Sequence, residues 1–319
     1  YHVVSDGDTF EILMPSGETV EAELVGYDSS VDLAVVKVAE ENMNELVPAA
    51  IGSVEKLSVG SSVYAIGNPG GEVLANTVTQ GIVSALERTS VNASNTSRRI
   101  SYIQHDASIN SGNSGGGLFN YKGELVGINA MLYSQTGSYS GYGFAIPTTI
   151  MNKVVADLKV YGTVQRAVLG VSGIDVSNWI DSEKARGNEP NLDVVDGVYI
   201  DNVADASAAE EAGLQKGDVV TEFDKKKVTK MSELQEAIAQ HRPGDKVSLT
   251  YKRGKQEHKI NVTLRNTQGT TKVMEEVDLD QMGVSLKPIS EEQKKAFGLN
   301  YGLVVNAIRN GKMKQAGAS

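Results

Sequence analysis

Three glycines and one serine lie together in Gly112-Asn-Ser-Gly-Gly116, and aliphatic residues flank the segment. Because glycine adopts backbone conformations that a Cβ forbids, such a turn can present the Ser114 hydroxyl to a cleft while neighbouring N–H groups point at the same place. Acyl transfer needs this arrangement of a nucleophile beside an oxyanion hole. We therefore expect Ser114 to be a nucleophile, with the N–H groups of Gly112 and Ser114 as oxyanion donors. Taken alone, the segment fits an inert Gly/Ser-rich turn equally well.

A nucleophilic serine needs a histidine as its base and a carboxylate that orients the histidine. Of the four histidines, His241 and His258 lie far downstream in a separate segment. His105 lies on a strand-like segment that runs into the serine turn, where we expect it to face solvent or a loop. His2 is the remaining candidate base, and Asp32 stands at the head of an apolar run. The order His, Asp, Ser along the chain is that of chymotrypsin-type proteases, which form a double β-barrel.

Several further motifs follow in a fixed order along the chain. They are His2-Val-Val, Ser30-Val-Asp-Leu-Ala-Val-Val-Lys-Val38, Ile66-Gly-Asn-Pro69, Thr79-Gln-Gly-Ile-Val-Ser-Ala85, Gly112-Asn-Ser-Gly-Gly116, Gly123-Glu-Leu-Val-Gly-Ile-Asn129 and Gly143-Phe-Ala-Ile-Pro147. In this order they resemble the HtrA (Deg) family of serine proteases. The resemblance places the base at His2, the orienting acid at Asp32 and the nucleophile at Ser114. It also implies an ATP-independent endoprotease of periplasmic protein quality control that cleaves unfolded proteins and peptides and assembles as a homotrimer or a higher multiple of trimers.

Composition excludes several classes of function. The chain has 30 Lys and Arg against 40 Asp and Glu, a net charge of −10, and an acidic chain without a basic stripe argues against a nucleic-acid partner. It has no cysteine, so disulfides and thiolate metal sites are impossible. No metal or nucleotide motif is present, and we expect no cofactor. No apolar run approaches the ~18 residues of a membrane-spanning helix.

The alternation of apolar and polar residues predicts a mostly β protein. A chymotrypsin-like double β-barrel protease domain is expected over residues 1–160, closed by a helix that begins after an N-cap at Thr148. The walls of its S1 pocket are expected at Ile109 and over Asn129-Ala130-Met131-Leu132. Because the chain starts one residue before His2, we expect the strands that precede the histidine in the family to be missing and the N-terminal barrel to be incomplete.

Downstream motifs resemble a bacterial PDZ domain, which has an α+β fold, over residues 164–266. The resemblance assigns its carboxylate-binding loop to Leu169-Gly170-Val171 and its ligands to peptides with an apolar C-terminus. The other wall of the groove is expected on a helix around residues 232–240, with Leu234 and Ile238 facing the ligand, although both could instead pack in the domain core. Met282-Gly-Val284 and later segments repeat the PDZ pattern, which predicts a truncated second PDZ domain over 280–319.

Two other functions compete with proteolysis. A proteolytically silent chaperone or scaffold would use the PDZ units alone, and an intact set of three catalytic residues argues against it. An esterase of the α/β-hydrolase type would also contain Gly-x-Ser-x-Gly, but its serine turn must connect a strand to a helix. The residues after Ser114 read as strands, which disfavours the esterase.

Overall fold

The computed structural model describes residues 1–14, 16–88, 101–132, 141–190, 192–273, 284–288 and 303–308. Strands dominate the described ranges, as the alternating sequence predicts. The chain divides into two compact units, Tyr1–Met274 and Glu275–Ser319. The first unit holds a β-sheet, a β-barrel and an α+β layer in that order along the chain.

Residues before position 40 form a three-stranded antiparallel sheet with the order β1-β2-β3. Its strands are β1 (Phe10–Leu13), β2 (Thr19–Asp28) and β3 (Leu33–Val38). Met14, Val20 and Val38 form its small core. Two barrels were expected, and in this structure the first half of the domain is this open sheet.

The second half of the domain is a closed barrel with the strand order β4-β5-β6-β9-β8-β7. Its strands are β4 (Ser62–Gly67), β5 (Thr77–Arg88), β6 (Tyr102–His105), β7 (Gly117–Asn120), β8 (Leu125–Leu132) and β9 (Gly143–Pro147). Apolar side chains fill the interior, among them Val63, Val83, Ile103, Leu118 and Val126, each at most 1% exposed. The barrel therefore gives the residues between β6 and β7, which include Ser114, a rigid base.

Helix α1 (Thr148–Tyr161) closes the barrel domain. Ile150, Val154 and Leu158 recur every four residues and are buried against the barrel, as the helical spacing predicts. The expected N-cap at Thr148 is wrong: Pro147 is the cap residue, and Thr148 is the first helical residue, whose hydroxyl donates to Gly52 O at 3.2 Å. The ring of Pro147 fixes φ at −62°, and with ψ at 148° the cap residue has an extended conformation. Proline also has no backbone N–H that would need a hydrogen-bond partner.

A mixed layer of strands and helices follows. The strands are β10 (Val171–Asp175), β11 (Val198–Val203), β12 (Val219–Phe223), β13 (Lys226–Lys227), β14 (Lys246–Arg253) and β15 (Gln256–Thr263). The helices are α2 (Val176–Ala185), α3 (Ala208–Glu211) and α4 (Met231–Ala239). Among the described strands, β10 lies at the edge of the sheet and pairs with β11 alone. Trp179 of α2 stacks on Tyr199 of β11, with ring centroids 4.5 Å apart.

A fully buried carboxylate joins the protease-like part to this layer. Asp157 on α1 is 0% exposed. It accepts hydrogen bonds from Arg242 Nε at 2.6 Å and from the Gln165 backbone N–H at 2.9 Å, and Lys153 Nζ lies 2.8 Å away. A buried charge is stable only when it is paired and hydrogen-bonded, and Asp157 meets that condition with groups from three segments.

The second unit contains two described strands, β16 (Val284–Pro288) and β17 (Leu303–Ile308), which pair antiparallel. The remainder of the predicted second PDZ domain lies outside the described residues. Two loops that the sequence predicts, over 87–101 and 133–142, also lie largely outside the described residues.

Candidate active site

His2 and Asp32 form a hydrogen-bonded pair at the N-terminal edge of the domain. Asp32 Oδ2 lies 2.8 Å from His2 Nδ1, and the His2 backbone N–H donates to Asp32 Oδ1 at 2.9 Å. Asp32 is 5% exposed, whereas the His2 side chain is 46% exposed. The carboxylate therefore fixes both the position and the tautomer of the ring and leaves Nε2 on the side away from the pair.

The chain reaches this geometry through a bend at Asp32. Its φ is 60°, in the left-handed region that Asp and Asn adopt more readily than other non-glycine residues. Burial alone would raise the pKa of the Asp32 carboxyl. The hydrogen bonds from the His2 backbone and ring, together with the nearby positive charges of the N-terminal ammonium and His2, outweigh that effect, so the pKa lies below its ordinary value. Asp32 is therefore ionised when it holds the histidine.

Ser114 lies on the turn between β6 and β7, and glycine is required just before it. Gly112 has a φ of +101°, and a Cβ there would lie 2.2 Å from Asn68 O. The turn rests on the loop after β4, where Asn68 N–H donates to Gly112 O at 3.1 Å and Gly70 N–H donates to Ser111 O at 3.3 Å. Any larger residue at position 112 would push the turn off this loop.

The backbone N–H groups of Gly112 and Ser114 make no hydrogen bond with any acceptor in the described parts of the chain. Both groups belong to the turn that carries the nucleophile candidate. Unpaired N–H groups beside a nucleophile are the donors that an oxyanion requires. This observation agrees with the oxyanion hole expected from the sequence.

The Ser114 hydroxyl donates to Ala130 O at 3.4 Å. Within the described residues it makes no hydrogen bond to His2. In enzymes without bound substrate, the hydrogen bond between nucleophile and base is often long and tightens only with substrate. In this structure the His2–Asp32 pair and the serine turn are both formed, and the Ser114 hydroxyl points toward strand β8.

The residues expected to wall S1 are buried in this structure. Ile109 is 3% exposed and packs in the barrel core, and Ala130 is 5% exposed against Tyr102 and Phe144. Asn129 is 1% exposed and lies under the serine turn. Met131 and Leu132 lie on β8, and their side chains are outside the described part of the molecule.

The expectation that His105 faces solvent or a loop is wrong. His105 is 0% exposed and points into the barrel, on the same face of β6 as Ile103. Its ring lies over Gly143 on β9, where a Cβ would come within 2.6 Å of it. Burial lowers the pKa of His105 to about 4, against weaker opposing effects of the Ala107 backbone, the Asp106 carboxylate and the Asn129 side chain. Among the described residues, neither ring nitrogen has a well-aligned hydrogen-bond partner, although the Ala107 backbone and the Asn129 side chain lie close enough to act on the ring.

A second candidate site lies at the open edge of β10. Gly170 has a φ of +85°, and a Cβ there would meet Ser207 Cβ at 2.2 Å, so the position requires glycine. Leu169 O and Gly170 O accept hydrogen bonds from Ala209 and Ala204. The N–H groups of Leu169 and Gly170 have no acceptor among the described residues. Free N–H groups in a loop next to an open strand edge suit a peptide carboxylate that continues as an added strand.

This edge opens into a cleft of about 430 Å³. Helix α4 contributes Met231, Gln235 and Ile238 to its lining. The expectation that Leu234 faces the groove is wrong, because Leu234 is 0% exposed in the core, whereas Ile238 lines the cleft as expected. Met231 and Gln235 were missed, although a spacing of four residues on a helix already places them on one face.

The cleft has a second wall. Ile150, Lys153 and Val154 of α1 and the turn after β2 face the same space. No sequence signal marks this wall, because its residues belong to β2, the turn after it and α1, which precede the PDZ-like layer. Within the described ranges, no cluster of His, Asp and Glu side chains could hold a metal ion, and no helix is long and apolar enough to cross a membrane.

Comparison with known proteins bears on both sites. A family model for a trypsin-like peptidase domain matches residues 1–128, and one for a PDZ domain matches residues 167–264. The periplasmic pH-dependent serine endoprotease DegQ of Escherichia coli (strain K12) is 37% identical over 82% of this chain and 55% of its own length. A probable periplasmic serine endoprotease, DegP-like, of Marinomonas sp. (strain MWYL1) is 35% identical over 99% of this chain and 65% of its own length.

Solved structures of HtrA-type proteases are also similar to this chain. The HtrA-type protease AlgW with a tripeptide superposes with a TM-score of 0.64 at 32% identity, covering 83% of each chain. The chain spans about half the length of two of the curated relatives it matches, 54% of a periplasmic serine protease do/HhoA-like protein of Haemophilus influenzae and 55% of DegQ. The order of a trypsin-like domain and a PDZ domain, together with these similarities, shows that the chain belongs to the HtrA (Deg) family of PDZ-containing serine proteases.

Proposed function

We propose that this chain is a serine endopeptidase whose catalytic triad is His2, Asp32 and Ser114. The observation that carries the proposal is the Asp32–His2 pair, with an ionised buried carboxylate on Nδ1 of a partly exposed ring. The serine turn with its two free N–H groups supplies the other half of the machinery. Relatives named as serine endoproteases support the same activity.

The geometry implies the order of events. Ser114 Oγ leaves Ala130 O and attacks a peptide carbonyl while its proton passes to His2 Nε2, which lies on the side away from Asp32. Asp32 stabilises the imidazolium that forms. The N–H groups of Gly112 and Ser114 bind the developing oxyanion. His2 then gives the proton to the leaving amine, and water hydrolyses the acyl-enzyme by the same steps in reverse.

The two competing functions have less support. The serine turn leads into strand β7 and not into a helix, so the esterase elbow is absent from this site. A silent scaffold would have no need of a carboxylate-oriented histidine and of free N–H groups beside a serine. Both features are present, and the relatives are named as proteases.

The test is covalent labelling of Ser114. A fluorophosphonate should attach to Ser114, identified by mass spectrometry, and Ser114→Ala should abolish both labelling and cleavage of an unfolded protein such as casein. Loss of a triad member lowers the rate by at least about 10³-fold. Ser111→Ala, in the same loop, is the matched control and should keep measurable activity. Casein cleavage by Ser114→Ala at the unsubstituted rate would refute the assignment.

We further propose that the protease domain spans 1–160, that a PDZ domain over 164–266 binds apolar peptide C-termini through Leu169-Gly170-Val171, and that a second PDZ domain begins near 280. The S1 wall remains assigned to Ile109 and Asn129–Leu132, in the arrangement that forms with substrate.

By similarity to relatives named periplasmic, the protein acts on unfolded proteins in that compartment as a homotrimer or a multiple of trimers. Light scattering coupled to size-exclusion chromatography tests the trimer, and a monomeric mass would reject it.

A further inference from the structure

Asn129 is a buried amide in a barrel whose interior is mostly apolar, with the His105 ring nearby. It is 1% exposed, and its register partner on β9 is Ala145, which in turn pairs with Ile103 on β6. Ala145 and Ile103 both belong to the barrel core. Asn129 thus completes a cross-strand row of core residues, at the end of the barrel where the serine turn lies.

The residue makes three hydrogen bonds to the segment that follows Ser114. Gly115 N–H donates to Asn129 O at 2.8 Å, and Asn129 N–H donates to Gly116 O at 2.8 Å. These two bonds continue the ladder between β7 and β8, and any residue could make them. The third is specific to the side chain: Asn129 Nδ2 donates to Gly117 O at 3.2 Å.

The rest of the side chain lacks such support. Within the described residues, no well-aligned donor faces Asn129 Oδ1. The nearby His105 ring interacts with the Asn129 side chain, but the contact is too poorly aligned to satisfy either group fully. A buried polar atom without a full partner destabilises the folded state. A leucine would fill the same space without that cost, so folding alone does not explain an amide at this position. Polar groups that conflict with a well-packed core are expected where function requires them.

We propose that Asn129 is a positioning residue for the nucleophile, and that its side-chain bond to Gly117 O fixes the direction in which the turn presents Ser114. The bond acts at the point where the turn enters β7, three residues after the nucleophile. The neighbouring Ala130 O accepts a hydrogen bond from the Ser114 hydroxyl. Strand β8 therefore contacts the segment 114–117 at both of its ends. The inference rests on Ser114 being the nucleophile.

The test compares Asn129→Leu with Ile103→Val, a control in the same cross-strand row that removes core volume without touching the turn. The fluorophosphonate labelling rate of Ser114, corrected for the folded fraction, and kcat for a peptide substrate should fall at least about tenfold in Asn129→Leu. KM should change less than about threefold, because the Asn129 side chain is 1% exposed and bonds to Gly117 O. A raised KM with an unchanged kcat would instead indicate that Asn129 acts only through the S1 wall and would overturn the positioning role. Ile103→Val should label at the unsubstituted rate although it is less stable.

Hydrogen exchange provides a readout that does not depend on activity. Backbone amides of residues 110–117 should exchange faster in Asn129→Leu than in Ile103→Val. If Asn129→Leu does not fold, Asn129→Ser, whose side chain is too short to reach Gly117 O, should give the same results. A folded Asn129 variant with the unsubstituted labelling rate and unchanged exchange would overturn the proposal. Labelling that persists in Ser114→Ala would show that the nucleophile itself was misassigned.

Discussion

His105 should make the barrel lose stability in acid, and the structure sets the size of the loss. The pKa of His105 falls from 6.5 in the unfolded chain to about 4 in the barrel because burial disfavours the charged ring. Between these two values only the unfolded chain takes up the proton. Above about pH 6.5 the ring is neutral in both states and the free energy of unfolding carries no penalty from His105. As the pH is lowered from 6.5 to about 4, the free energy of unfolding falls by about 3 kcal/mol in total. Below that range the native ring is protonated as well, and this contribution stays constant.

The perturbation is His105→Leu, which keeps a side chain of similar volume over Gly143 and removes the titration. Urea unfolding would be measured at several pH values, with hydrogen exchange of peptides from β5 and β6 reporting on the barrel. Carboxylates also titrate in acid, but they do so in both proteins. The difference in free energy of unfolding between variant and unsubstituted protein should therefore shift in favour of the variant by about 3 kcal/mol between pH 7 and pH 4.

A matched control is Ile103→Val, two residues earlier on the same barrel face. It should lower stability by about 0.5–1.5 kcal/mol at every pH, because it removes a methyl group and no titrating group. If the difference between His105→Leu and the unsubstituted protein did not vary with pH, the native ring would titrate as it does in the unfolded chain. The deduction that His105 is buried and neutral would then be wrong.

Three further predictions follow from other parts of the structure. Gly170→Ala, which forces a Cβ onto Ser207, should weaken binding of peptides ending in Val at least tenfold by calorimetry, and C-terminal amidation should weaken binding to the unsubstituted protein similarly; equal affinity for acid and amide peptides would exclude a carboxylate loop. Asp157→Asn should destabilise the first unit by about 3 kcal/mol in urea, because it leaves the Lys153 ammonium, which is 11% exposed, without its carboxylate partner. Asp201→Asn, from an exposed pair with Lys216, should leave the urea midpoint unchanged, and equal effects would contradict the burial argument. Cleavage of a peptide library should favour small aliphatic residues at P1, because the segments assigned to S1 carry no acidic residue; dominant cleavage after Lys or Arg would reject the assignment.

Several features were predictable because they depend on local chemistry. Glycine at positions 112 and 170 signals backbone conformations that other residues avoid, and the structure gives both a positive φ. The spacing of Ile150, Val154, Val155 and Leu158 predicts the apolar face of α1. The structure buries Ile150, Val154 and Leu158 and leaves Val155 half-buried. The assignment of the triad residues stays a prediction, which the geometry supports.

Other features depend on contacts that a single sequence does not display. His105 alternates correctly with Ile103 for an interior position, but its polarity favoured the outside; only the missing Cβ of Gly143 provides room for the ring. The sequence places Asn129 in a predicted S1 wall, but it does not display the bond from Asn129 to Gly117 O, because that bond joins two strands. The pair Asp157–Arg242 joins residues 85 positions apart, and no local pattern predicts such a partner.

The stacked pair Trp179–Tyr199 gives the protein its own optical reporter. Trp179 is the sole tryptophan in the sequence, and it lies in α2 against β11, the strand beside the open edge of β10. Intrinsic fluorescence excited at the red edge of the tryptophan band therefore reports on the PDZ-like layer and not on the barrel. If the Asp157 network makes the two parts melt as one body, the emission change and the exchange of barrel amides will coincide along a denaturant series. In Asp157→Asn the two transitions should separate. The denaturant interval between them then measures how strongly the Asp157 contacts couple the unfolding of the two parts.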